Sequence, residues 1–127
     1  MDLRPKRFAD TLVLSPAGRI DHATAEPFRE AFLAALAGCA AGKDQVVLDL
    51  GGVEYIASAG LRGLMLGAKQ VKAQGGMLVV AALQPVVREV FEISRFTLVF
   101  KTYPSVREAL AAVSPGALAA FTDGRPA

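Results

Sequence analysis

Two short runs of β-branched and aliphatic residues, Val46 to Leu50 and Met77 to Ala82, stand on either side of a segment with a different periodicity. In that segment Leu61, Leu64, Met65, Ala68 and Val71 share one helical face. A six-residue apolar run suits a strand covered on both sides better than it suits a helix. Glycine pairs punctuate the pattern: Gly51-Gly52 closes the first run and Gly75-Gly76 ends the helical one. Strands separated by helices of about ten to thirteen residues predict an α/β chain with a largely parallel sheet under helical cover.

The flanking segments extend this order. Phe8, Leu12 and Leu14 alternate around a turn at Ala9-Asp10, which predicts a short antiparallel pair. Thr24 is placed to cap a helix with Pro27 in its first turn and Phe28, Ala31, Phe32, Ala35 and Leu36 inward. Gly38, Cys39 and Gly42 mark its end. The residues Val53 to Ile56 read as a strand-to-helix junction. Pro85 starts a third helix with Val87, Val90 and Phe91 inward, Thr97 to Phe100 is expected as the last strand, and Pro104 starts a fourth helix through Val106, Leu110 and Val113. Beyond Ser114 no useful periodicity remains. The expectation is one domain over residues 1–113 and a flexible tail over 114–127.

Composition removes several classes of function. A hydrophobic fraction of 53% in 127 residues provides for one real core. Fourteen Lys and Arg against twelve Asp and Glu leave a net charge of +2, too small to point to direct nucleic-acid binding. Cys39 is the single cysteine and His22 the single histidine, so neither a disulfide framework nor a cysteine-based zinc cluster is expected. The opening MDLRPKR leads into no signal-like apolar run, and no stretch approaches the roughly 20 apolar residues of a membrane span. A cytoplasmic protein without membrane insertion is expected. The glycines lack a G-x-G-x-x-G pattern and no phosphate-loop lysine motif is present, so no cofactor is expected.

Candidate chemistry concentrates in YIASAGLRGLM, Tyr55 to Met65. Ser58 precedes a helix, where its hydroxyl either caps a backbone amide or stays exposed for modification. A phosphate there would meet the positive end of that helix, and its charge of about −1.5 to −2 would act on any partner that had buried a neutral hydroxyl. Gly60, Gly63 and Gly67 each cost roughly 1 kcal/mol against alanine in a helix, which implies close approach by the parent sheet or by a partner helix. Arg62, Lys69, Lys72 and Arg88 are the cations between Tyr55 and Arg88, with no acidic residue among them; their side is either solvated or turned to an acidic protein surface. Asp21 and Thr24 sit in a loop that a wound topology brings to the same sheet edge as Ser58. Asp49 either approaches that loop or ends its strand. A Ser58-His22-Asp21 hydrolase lacks the G-x-S-x-G setting, so catalysis is not expected.

These motifs together resemble the bacterial anti-sigma factor antagonists, single-domain members of the STAS family. The resemblance runs through GRIDHATA (Gly18 to Ala25), VVLDLGGVEYIASAGLRGL (Val46 to Leu64) and GGMLVVAALQPVVREVFEISRF (Gly75 to Phe96), and extends over nearly all of the chain through about Val113. It implies a mixed sheet of four to five strands with about four helices, mainly on one side. It implies that Ser58 is phosphorylated by a cognate anti-sigma factor with serine kinase activity, and that a serine phosphatase resets it. The unphosphorylated form would bind that partner and release a sigma factor. The implied partner surface comprises Asp21, Thr24, Ala57, Ser58, Ala59, Gly60, Leu61, Arg62 and Gly63. Many members carry Asp immediately before the serine, where this chain has Ala57. The same resemblance leaves room for a partner-switching protein with a non-sigma output, for an accessory subunit of a transport complex and, at lower weight, for guanine-nucleotide binding.

Overall fold

The structure is a computed structural model and describes residues 1–123. In chain order its elements are β1 (Lys6–Phe8), β2 (Thr11–Leu14), β3 (Ala17–Ile20), α1 (Ala25–Ala35), β4 (Gln45–Asp49), β5 (Gly52–Ile56), α2 (Ser58–Gln74), β6 (Leu78–Ala81), α3 (Pro85–Ile93), β7 (Thr102–Tyr103), α4 (Val106–Val113) and α5 (Pro115–Asp123). The five-stranded sheet has the order β1-β2-β4-β6-β7, with β1 antiparallel to β2 and every other neighbour parallel. β3 and β5 pair in parallel as a separate two-stranded ribbon.

Alternation along the strands sorts the core into two layers. Leu14, Val46, Leu48 and Val80 join one apolar cluster with Phe28 and Phe32 of α1, Leu64 and Val71 of α2, and Val87 and Phe91 of α3. Val13, Val47, Val79 and Ala81 join the other, beneath Ala109 and Leu110 of α4 and Ala117 of α5. The expected mixed α/β sheet is present, with three of the five helices on one face.

Three segments differ from expectation. Gly52–Ile56 is a strand, because β3 needs a hydrogen-bonding neighbour and finds it across the Ala17–Gly52 to Ile20–Ile56 register. Thr97 to Phe100 is not a strand: Phe96–Leu98 forms a 3-10 turn, and the last strand moves to Thr102–Tyr103. The turn places Phe96 and Phe100 on the same side, with ring centroids 5.6 and 6.3 Å from Phe91, while Thr97, Leu98 and Val99 face outward. Packing of two aromatic rings on α3 wins over a local strand preference.

The third difference is in the segment expected to be a tail. Pro115–Asp123 is helical, with Ala117 fully buried. The Ser114 hydroxyl accepts the Ala117 N–H at 3.1 Å and donates to Asp10 at 2.7 Å, so the helix start is capped and tied to the β1–β2 turn. The Phe121 ring meets Phe8 edge-on at 5.2 Å. Residues 124–127 of the expected tail lie outside the described residues.

Candidate functional site

The site is built where β3 turns into α1 and β5 turns into α2. The Asp21 carboxylate accepts the N–H groups of Ala23 at 3.0 Å and Thr24 at 3.2 Å, and its backbone oxygen accepts the Ala25 N–H at 2.9 Å. The Thr24 hydroxyl donates to the Arg19 carbonyl at 2.8 Å and accepts the Asp21 N–H at 2.9 Å. Thr24 therefore holds the N-cap position of α1 while its hydroxyl works backward, closing the loop rather than capping the helix. Burial pushes the Asp21 carboxyl up, but the hydrogen bonds from Thr24 and Ala23, with the Arg19 charge, outweigh it and hold the group below the usual carboxylate value. Arg19 also lies over the Tyr55 ring, 4.5 Å from its centroid, joining β3 to β5 through their side chains.

At the second turn Ala57 is the N-cap residue of α2, in extended conformation, and Ser58 is the first helical residue. The Ser58 side chain is exposed and makes no hydrogen bond among the described residues. Of the two readings of its hydroxyl, capping is thus not the one realised. The Leu61 N–H to Ala57 carbonyl bond of 3.0 Å is the first of the helix, so the N–H groups of Ser58, Ala59 and Gly60 have no intrahelical acceptor. No acidic residue lies in this first turn.

The two turns are joined directly. The Ala57 N–H donates to the Ile20 carbonyl at 2.8 Å. Gly60 makes the junction close, because a Cβ there would lie 2.7 Å from Ile20 Cγ2 and 2.8 Å from Ile56 Cγ1. Farther along α2, a Cβ at Gly67 would overlap the Phe32 ring and come within 3.0 Å of Leu36. Gly60 and Gly67 are thus explained by internal packing. Gly63 is buried against Arg29, whose Cβ would lie 3.4 Å from an added methyl.

Between α1 and α2 lies an open groove of about 340 Å³, lined by His22, Ala25, Glu26, Arg29, Ala59, Arg62, Gly63 and Leu66. It runs from the β3–α1 turn along the start of α2. Glu26 and Arg29 pair along its α1 wall at 3.2 Å, and Arg62 and Leu66 are exposed on its α2 wall.

Of the residues singled out in the sequence, Asp21, Thr24, Ala57 and Ser58 fall at the joined turns, and Ala59, Arg62 and Gly63 in the groove. Leu61 is half-buried against the main core, and Gly60 turns inward. Asp49 serves its own corner, accepting the Ser15 hydroxyl at 3.1 Å and the Gly51 N–H at 2.9 Å. No hydrogen bond links Ser58, His22 and Asp21 among the described residues. Glu26, Arg29 and Leu66 carry no motif, and only the contact of α1 with α2 reveals them. Small residues at Ala25, Ala59 and Gly63 are their one sequence trace.

Comparison with known proteins places this arrangement in a family. The STAS domain matches residues 3–109. BtrV of Bordetella bronchiseptica, whose name places it among the anti-sigma factor antagonists, is 45% identical over 118 residues, 93% of this chain and 98% of its own length. An anti-sigma factor antagonist STAS domain protein of Planctomyces limnophilus superposes with a TM-score of 0.77 at 30% identity, over 87% of this chain and 96% of that one. Unphosphorylated SpoIIAA shares the fold, with a TM-score of 0.69 at 20% identity, over 87% of this chain and 94% of that one. No helix among the described residues is long and apolar enough to cross a membrane. The matched domain and the near full-length relative agree, and the chain belongs to the STAS domain family, among its anti-sigma factor antagonists, a regulatory rather than an enzymatic class.

Proposed function

We propose that this protein binds an anti-sigma factor with serine kinase activity in its unphosphorylated form and is released when Ser58 is phosphorylated. The observation that carries the reading is Ser58 itself, exposed on the first turn of α2, without a hydrogen bond among the described residues and with no carboxylate in that turn. A hydroxyl in this position is open to a kinase. The phosphate that replaces it lies at the positive end of a 17-residue helix, where its charge is tolerated by this chain and felt by a partner.

In the transfer the Ser58 oxygen bonds to the γ-phosphorus of ATP while the bond from that phosphorus to the ADP oxygen breaks, and the hydroxyl proton leaves to a base on the kinase. The chain supplies the acceptor and the binding surface. Asp21 and Thr24 keep the neighbouring turn rigid; Ala57, Ala59, Leu61 and Arg62 give the partner a surface of small, apolar and cationic groups; Gly60 lets the elements beneath it approach, and Gly63 lines the groove without a side chain. A serine phosphatase acting on the phosphorylated form completes the cycle. Release of a sigma factor follows when the sequestered partner is an anti-sigma factor.

The test is incubation with the candidate kinase and Mg-ATP, followed by intact-mass and peptide mass spectrometry, with Ser58→Ala as control. One phosphoryl group at Ser58 is expected, with partner binding kept by S58A and weakened by S58D. Equal affinities for the native, S58A and S58D proteins would overturn the switch and favour an accessory role in a transport complex. Binding of the partner by the unphosphorylated protein with no sigma factor released would assign the switch to another output.

A further inference from the structure

We propose that Arg62 is the intramolecular counter-charge of phosphorylated Ser58, so that modification both adds an anion to the docking face and withdraws its cation. The proposal rests on the reading of Ser58 as the modified residue and extends it to how the modification acts.

Ser58 and Arg62 are one turn apart on α2 and both exposed. Residues at i and i+4 of a helix lie about 5–6 Å apart at Cβ, and the order here, anion toward the N-terminus and cation after it, is the favourable one. A guanidinium reaches phosphate oxygens through two parallel N–H donors. Arg62 forms no ion pair among the described residues. The acids around it are already engaged: Glu26 pairs with Arg29 at 3.2 Å, and Asp21 takes the Ala23 and Thr24 amides with Arg19 at 4.0 Å. Ala57, just before the serine, brings no carboxylate to repel the phosphate or compete for the guanidinium.

Two states follow. Without phosphate, Arg62 stands on the wall of the α1–α2 groove and meets a carboxylate of the partner. With phosphate, the guanidinium folds back one turn, and the charge contributed by residues 58 and 62 changes from +1 to about −0.5 to −1. A carboxylate-bearing partner then loses its ion pair and meets an anion.

The test installs phosphoserine at position 58 during synthesis, by an expanded genetic code, and follows its second ionisation by phosphorus NMR. A His22→Gln background removes the imidazole that lines the same groove as Arg62; Arg19, Asp21, Glu26 and Arg29 stay common to every sample. Phosphoserine beside Arg62 should titrate about 0.15–0.4 pH unit lower than in Arg62→Gln, the roughly 1.4- to 2.5-fold difference of exposed i,i+4 pairs. Arg62→Lys should fall between them, and the difference should shrink in about 1 M salt. Identical midpoints for Arg62 and Arg62→Gln at low salt would overturn the proposal. Failure of any kinase to modify Ser58 would defeat the functional reading and leave this titration unaffected, so the two failures are separable.

Discussion

Ala57 donates its N–H to the carbonyl oxygen of Ile20 at 2.8 Å, and this bond joins the residue before Ser58 to the last residue of β3. It holds the start of α2 in register with the Asp21 turn although 37 positions separate Ala57 from Ile20. Both turns therefore form one continuous surface. Gly60, packed under Ile20 and Ile56, makes the same junction from inside the helix.

The Ser58 hydroxyl contributes little to folding. Because it makes no hydrogen bond among the described residues, Ser58→Ala should change unfolding free energy by no more than about 0.5 kcal/mol in urea denaturation. A loss of several times that amount would show that the hydroxyl supports the fold.

Gly67 and Gly63 should respond in opposite directions to alanine. At Gly67 the new methyl meets the Phe32 ring, which is stacked on Phe28 at 5.3 Å and fully buried, so the strain exceeds the gain in helix propensity. A net loss of about 1–2 kcal/mol is expected. At Gly63 the nearest atom is 3.4 Å away, and Gly63→Ala should stabilise by up to about 1 kcal/mol. Thermal or urea denaturation of the two variants checks the contrast.

Asp21 predicts a pH dependence with a definite sign. Its carboxyl lies below the usual value in the folded chain because hydrogen bonds from Thr24 and Ala23 and the Arg19 charge outweigh the upward effect of burial. The folded state thus binds its proton less readily than the unfolded one. The stabilisation is present above the unfolded pKa of about 3.9 and is lost as pH falls through the lower, folded value. Asp21→Asn should melt below wild type at neutral pH, and the two melting temperatures should converge below about pH 4. Parallel curves across that range would remove the charge of Asp21 from the account of the turn.

Ser114→Ala should release α5. Ser114 is 6% exposed, and its hydroxyl both caps the helix at the Ala117 N–H and donates to Asp10. Its removal should cost about 1–2 kcal/mol and raise amide exchange across Pro115–Asp123 before exchange rises in the main sheet. Unchanged protection of that segment would show that apolar contacts alone hold it.

The sequence alone was enough to place α2, because seventeen residues carry several turns of helical periodicity and end on a glycine pair with Gly75 at φ 72°. It likewise determined the parallel strands around β4 and β6, whose apolar runs are too short for anything but buried strands, and the position of Ser58 at a helix start. The STAS resemblance was carried by motifs readable along the chain. Tertiary structure decided the short elements. β5 is a strand because β3 pairs with it, Phe96 to Phe100 turns because Phe91 offers a surface for both rings, and α5 forms over residues without a useful periodicity because Ser114, Ala117 and Phe121 find Asp10, the sheet and Phe8. The groove beside Ser58 has the same origin: Glu26 and Arg29 became neighbours of Arg62 and Leu66 only when α1 packed on α2 at Gly67. A periodic segment many residues long states its own buried face, whereas an element of two to five residues has too few side chains to do so, and its conformation is chosen by partners distant in sequence.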